Sequence, residues 1–260
     1  MKKLTLLFLC GLFFAFAFKK TKRFIPPGTV QISDTLFADE TEISNFSWQE
    51  YEFFIKTKYG VNSKEHVATL PDTNVWRDKS TFNEPYVKYY YRHPAYKDYP
   101  VVGISYEQAK GYCKWRTERV KTFLSIKQDF KHQNFEYRLP TTSEWEFLSN
   151  SITNCFYNNG KNKKGQVMFN HRWMTDSISK KYFAENNANP DVTAPTYSYW
   201  RNDFGLFCIF GNVAEMVNEK GISKGGSWQN TLEECRAGKH LTYTKPTACL
   251  GFRCVCIVLK

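Results

Sequence analysis

Tyr99-Pro100-Val101-Val102-Gly103-Ile104-Ser105 runs straight into Tyr106, Ala109, Tyr112, Cys113 and Val120, which recur at helical spacing. Ser105 is a residue type whose side chain caps a helix, and Gln108 three positions on can answer it, a reciprocal pair that satisfies two otherwise orphaned backbone donors. The clearest helix of the chain therefore starts after Ser105 and extends toward Lys127, with Cys113 on its inward face. Val101 to Ile104, just before it, reads as a brief apolar strand.

Working downstream, Arg138-Leu139-Pro140 leads to a second capping pair, Thr141 with Glu144, and to Trp145 and Leu148 on the apolar side of another helix. From Ser149 onward the chain is rich in Asn, Gly and short apolar pieces, the pattern of turns and short strands. Upstream, Ser44 or Asn45 caps a helix that carries Trp48, Tyr51, Phe54 and Ile55 and ends at Gly60. The polar stretch containing Pro71, Pro85 and Pro94 has no sustained period and reads as long loops with short strands. Ordered structure begins at Leu36-Phe37-Ala38, after an extended lead-in with Pro26-Pro27-Gly28.

The chain has 260 residues, enough for one large domain with a real core. With 42% apolar residues and 22 Phe, 16 Tyr and 7 Trp, that core is aromatic-rich and a disordered polar chain is excluded. The formal net charge of +11 favours anionic partners. The lysines are scattered, however, so a solvated basic surface accounts for them, and no nucleic acid partner is expected.

Lys2 and Lys3 precede an apolar run from Leu4 to Phe18, too short for an ordinary membrane-spanning helix. Residues 1–18 read as an export signal or N-terminal anchor, with a small-x-small cleavage site at Ala15-Phe16-Ala17. The basic cluster Lys19, Lys20, Lys22 and Arg23 keeps the anchored form, and with it membrane association through the N-terminus, open. Leu9 before Cys10 makes a poor lipidation signal. Residues 19–34 are the lead-in and 35–260 one domain. Export to a periplasmic or outer-membrane location permits disulfides among the seven cysteines beyond the signal.

Seven pieces stand in order along the chain: Glu40 to Asn45; Tyr99 to Trp115; Arg138 to Thr141 with Glu144-Trp145-Glu146; Asp203-Phe204-Gly205-Leu206; Gly211-Asn212-Val213 with Glu215; Gly225-Gly226-Ser227-Trp228; and Gly251-Phe252-Arg253-Cys254. Together they resemble the formylglycine-generating enzyme, or sulfatase-modifying factor, family. Residues 89–119 are similar to the gliding-motility and type IX secretion lipoproteins that carry this domain. The resemblance implies an α+β, C-type-lectin-like domain with few helices, short strands and long loops. It also implies a structural calcium ion at Asn212, Val213 and Glu215, although a plain turn with Asn212 bonding backbone serves equally, because calcium wants six or more oxygens. A disulfide between Cys113 and Cys254 is implied as well, whereas a second family bridge maps to Ser149 and His240. Cys155, Cys208, Cys249 and Cys256 are unassigned, each read as a small buried hydrophobe.

The family's oxidase chemistry needs two cysteines five positions apart as copper(I) thiolates. Counting from Gly225-Gly226-Ser227-Trp228, the first position is Asn230 and the second Cys235. An amide oxygen is a poor ligand for a soft ion, so copper is not expected. The glycine pair permits close approach or positive φ before Trp228, and Arg138 and Arg253 are expected in core ion pairs with Glu144 or Glu146. His66, His93, His132, His171 and His240 are dispersed, and no nucleophile elbow or phosphate loop is present. The resulting expectation is a non-catalytic scaffold of a bacterial envelope assembly, bound to other proteins of that assembly. The alternatives are an oxidase acting on a cysteine of a target protein through Cys235, and a carbohydrate or nucleic acid binding module.

Overall fold

The computed structural model describes residues 24–77, 83–126, 134–149, 160–172 and 193–259. The N-terminal segment to residue 18, Cys155, His132 and Lys127 lie outside them. Among the described residues, two four-stranded sheets share one aromatic core with a few helices, the α+β arrangement expected. No described helix is long and apolar enough to cross a membrane.

The first sheet is antiparallel, in the order β1 (Thr29–Gln31), β2 (Leu36–Asp39), β8 (Val255–Leu259), β3 (Asn134–Arg138). The second runs β6 (Leu241–Thr242), β5 (Ile222–Lys224), β4 (Ala214–Met216), β7 (Leu250–Gly251), with the β4–β7 pair parallel. The lead-in is thus partly an edge strand, with Val30 registered opposite Ala38.

Three helices form where the caps are. Ser44 accepts the Ser47 amide at the start of α1 (Asn45–Tyr59). The next two are short, α2 (Lys64–Val67) and α3 (Glu84–Tyr89). Ser105 and Gln108 exchange both capping bonds at α4 (Tyr106–Ser125), which stops two residues short of the expected Lys127. At α5 (Thr142–Ser149), Thr141 accepts the Glu144 amide while the Glu144 carboxylate accepts the Thr141 amide.

Two expectations are corrected. The stretch around Pro71, Pro85 and Pro94 holds α2, α3 and two single 3-10 turns, Thr73–Trp76 and Pro94–Tyr96, rather than strands, because Ser63, Asp72 and His93 each cap a local turn. Val101 to Ile104 is buried yet forms no strand. Its bonds go singly to separate loops, Val101 to the Ile43 carbonyl and Gly103 to that of Thr247.

Trp48 of α1 stacks on Tyr112 of α4 at 5.5 Å, and Phe252 meets both rings edge-on at 6.0 and 5.6 Å. Such pairs contribute about 0.5–1.5 kcal/mol each beyond their buried area. Cys113 and Cys254 face each other in the same cluster as thiols, their sulfurs 3.5 Å apart, so the expected partners meet but carry no bond here. A second cluster surrounds Trp145, Leu148, Phe169 and Cys235.

Arg253 lies between β7 and β8 and is fully buried. Its partner is Glu215 of β4, not Glu144 or Glu146: Nε donates to both Glu215 oxygens at 2.8 Å and Nη2 to Oε1 at 2.6 Å. Its remaining donors reach the Asp39, Glu40 and Phe207 carbonyls. Arg138 does pair with Glu144, through two 2.7 Å bonds, while Glu146 takes the buried Lys224 ammonium at 2.7 Å. Beside Arg253, burial raises the Glu42 pKa well above 4.5, against the opposing pull of Arg253.

Arg253→Met should cost about 3–5 kcal/mol, since it strands Glu215 in the interior, and a second change, Glu215→Gln, should return part of that loss. Urea denaturation checks this, and additive effects of the two changes would refute the pairing. Because the folded-state pKa of Glu42 is raised, its favourable contribution is complete below 4.5 and fades as pH rises through the folded value. Glu42→Gln should therefore match wild type near pH 4 and exceed it in stability at pH 8; melting curves that stay parallel across this range would contradict it.

Candidate functional site

The motif Gly225-Gly226-Ser227-Trp228 leaves β5 through two residues at φ 84° and 67°. A side chain on Gly225 would sit 2.8 Å from the Ile209 carbonyl and 2.9 Å from Trp145, and one on Gly226 would overlap Cys235 Sγ. Both expected roles of the glycine pair, positive φ and close approach, are met at once. Trp228 is half-buried and donates its indole N–H to the Ala248 carbonyl at 3.3 Å, stacked at 6.3 Å on Trp76.

Asn230 and Cys235 then part company. The Asn230 Oδ1 closes a turn by accepting the Ser227 amide at 3.0 Å and the Ser227 hydroxyl at 2.7 Å. Asn230 lines a surface cavity of 460 Å³. Cys235 is fully buried beneath Gly226 in the Trp145 cluster and does not line that cavity. The two positions at which the family resemblance places copper thiolates thus hold an engaged amide and an enclosed thiol. This donor set does not fit copper(I).

The cavity wall is built from the second sheet and the segment after β6. Ala214, Leu241 and Leu250 provide apolar floor, while Ser223, Thr242, Tyr243, Thr247 and Lys245 line the sides. Tyr243, Thr244 and Lys245 also line a neighbouring cavity of 400 Å³ that reaches Tyr106 and Lys220. Cys249 opens onto the larger cavity, and its sulfur donates to Gln229 Oε1 at 3.0 Å. Burial pushes its pKa up to about 11, with Ser227 opposing, so Cys249 is a thiol and a weak nucleophile at neutral pH. It is not the simple buried hydrophobe expected.

Asn212 and Glu215 come together, but their oxygens are spent on protein donors. Asn212, at φ 60°, accepts the Ala194 amide at 2.7 Å and the Asn170 side-chain amide at 3.3 Å, and donates to Glu42 at 2.9 Å and the Ala194 carbonyl at 3.1 Å. Glu215 accepts from Arg253 and, at 2.8 Å, from the Trp145 indole. Val213 between them is buried in the small cluster with Trp76 and Tyr90. A guanidinium already occupies the carboxylate, so these residues as arranged do not fit a calcium ion, and the turn in which Asn212 bonds backbone is what forms. His66 sits beside Glu52 at 3.4 Å and His171 packs on Phe169, so both are engaged in the interior.

Sequence reasoning missed the cavity wall at residues 241–249. Its one local signal is the β-prone run Thr242-Tyr243-Thr244 stopped by Pro246. It also missed the burial of Glu42, which lies inside a quoted motif with nothing around it in sequence to mark it as interior.

A sulfatase-modifying factor enzyme 1-like domain matches residues 6–257. The chain is 26% identical to the formylglycine-generating enzyme of Bos taurus over 189 residues, covering 60% of this chain and 44% of that protein. It is 27% identical to the inactive C-alpha-formylglycine-generating enzyme 2 of Bos taurus over 176 residues, covering 60% and 50%. The chain therefore spans about half the length of these relatives. Among solved structures it is similar to Treponema denticola variable protein 1, with a TM-score of 0.48 at 15% identity, over 90% of this chain and 92% of that one. The match across nearly all of the chain means that this protein belongs to the sulfatase-modifying factor enzyme 1-like domain family.

Proposed function

We propose that this chain is a non-catalytic binding domain that serves as a scaffold in a bacterial envelope assembly. The enclosure of Cys235 beneath Gly226, opposite an Asn230 already used in its own turn, carries the reading. A copper(I) oxidase needs two thiolates converging where a target cysteine can enter, and that pair is missing from the cavity. The likeness to an inactive relative as well as to an active enzyme is compatible with either chemistry. The exported location, the protein partners and the kinship with gliding-motility and type IX secretion lipoproteins rest on the N-terminal reading and on residues 89–119. The rival is an oxidase acting on a target cysteine through Cys235, and the burial of that thiol argues against it, while Cys249, the thiol that does face the cavity, has its pKa pushed up by burial.

Incubation of the full chain with copper(I), oxygen and a cysteine-containing sulfatase-type peptide should leave that peptide unconverted by mass spectrometry. The Asn230→Cys variant should leave it unconverted too, because Cys235 points into the core. Conversion by the native protein would overturn the proposal, and conversion by the variant would show that Cys235 reaches the cavity. In iodoacetamide labelling of the native protein, Cys235 should stay unmodified, and Cys249 should react more slowly at pH 8 than an exposed thiol, accelerating toward its pKa of about 11. Rapid labelling of Cys235 at pH 8 would refute its enclosure.

A further inference from the structure

The second sheet ends at β6 with nothing paired on its outer side among the described residues. Thr242 stands opposite Ile222 and Leu241 opposite Ser223, and the Tyr243 amide donates to the Gly221 carbonyl at 3.0 Å. Backbone bonds alternate along an antiparallel pair, so Leu241 and Tyr243 face β5 while the N–H and C=O of Thr242 and Thr244 face outward. Ile222 confirms the alternation, since its carbonyl is turned the other way, toward Val217. The outward edge is solvent-exposed at Thr242, Thr244 and Lys245, and it borders the 460 Å³ cavity.

The edge segment 238–246 carries two lysines and no acid. Lys239 and Lys245 are exposed and make no ion pair among the described residues. Of the acids on neighbouring segments, Glu107 pairs with Lys220 and Glu233 with Arg236, while Glu234 and Glu219 bond to Thr231 and to the Thr142 amide rather than to either lysine. Lys245, which is exposed, lines the cavity together with the apolar side chains of Ala214, Leu241 and Leu250.

We propose that the free edge of β6 takes up an extended acidic polypeptide segment as an added strand. Its backbone pairs with Thr242 and Thr244, one face of its side chains enters the cavity, and its carboxylates meet Lys239 and Lys245. Main-chain bonds supply affinity in this mode and alternate side chains supply selectivity. The inference rests on the reading of the domain as a binding module and names the chemistry of the partner.

The test is fluorescence anisotropy of a labelled octapeptide of alternating Asp and Val against the full chain. Saturable binding that weakens with added salt is expected. The same peptide with alternate amides N-methylated should bind at least about tenfold more weakly, as should the Thr242→Pro variant, whose melting temperature should hold because that N–H faces away from β5 and bonds none of the described residues. Lys239→Glu with Lys245→Glu should also weaken binding. Failure of the Asp-Val peptide to bind, equal binding of a Lys-Val peptide, or indifference to N-methylation overturns the proposal. Should Thr242→Pro unfold the chain, the N-methylated peptide decides alone. An anionic vesicle or a sulfated glycan that displaces the peptide and binds the proline variant undiminished would assign the edge to simple anion attraction and also overturn it. None of these results bears on cysteine conversion, so failure here leaves the non-catalytic reading standing, and conversion of a cysteine peptide leaves the strand test intact.

Discussion

The guanidinium of Arg253 is the fixed point of this molecule. It leaves the chain between the last strand of one sheet and the last strand of the other, and its donors reach β4, the end of β2 and the loop at Phe207. Burying a cation costs several kcal/mol unless every donor finds an acceptor in good geometry. Here Nε and both Nη atoms are used; burial opposes the charge, but the attraction and hydrogen bonds of Glu215, with smaller contributions from its buried neighbours, leave the pKa raised and the side chain charged. The pair ties β4 to the junction between β7 and β8, and Ala214 of β4 and Leu250 of β7, next to that junction, line the cavity.

Around this pin, side chains take over what regular structure supplies in more helical proteins. Much of the backbone is irregular, and buried amide groups must still be paired. Asn45 donates to the Tyr90 and Tyr96 carbonyls, Gln108 to those of Ala68 and Leu70, and Asn202 donates to Leu148 while accepting from Phe204 and Leu206. Asn212 performs the same task for the segment at Ala194 and holds Glu42 beside the ion pair. With Glu42 favoured in its neutral form, the buried set carries one cation against one anion. That balance lets a second carboxyl group sit in the interior without a second guanidinium.

What was legible in the sequence was local. The three long helices follow from cap pairs and apolar spacing contained within a few residues, so Ser105 with Gln108 and Thr141 with Glu144 predict what forms. The family motifs identified the architecture. The failures share a cause in contacts that no local pattern marks. Arg253 is expected with Glu144 or Glu146, but its acceptor is Glu215, 38 residues away in β4 and nearer in the chain than either, and nothing in the sequence distinguishes one acid from another. Val101 to Ile104 has the apolarity of a strand and the burial of one, yet its hydrogen bonds are dealt to separate loops. The cavity is assembled from Asn230, the end of β6 and Cys249, whose proximity depends on sheet order alone.

The residues around Asn230 and Cys235 show how a motif can serve the fold by itself. Gly225 and Gly226 are needed here because Trp145, Ile209 and Cys235 pack against their backbone. Ser227 is needed to close the turn with Asn230, and Trp228 anchors the loop before β7 by bonding to Ala248. Each residue of the motif therefore has a structural use, independent of any metal or substrate. These uses hold the fold whatever stands at position 230, since sites and not folds carry chemistry. In this chain the groups that face solvent in the cavity are hydroxyls, an amide, a lysine and a high-pKa thiol. These are donors and acceptors suited to holding a partner, and the neighbouring free strand edge offers more of the same.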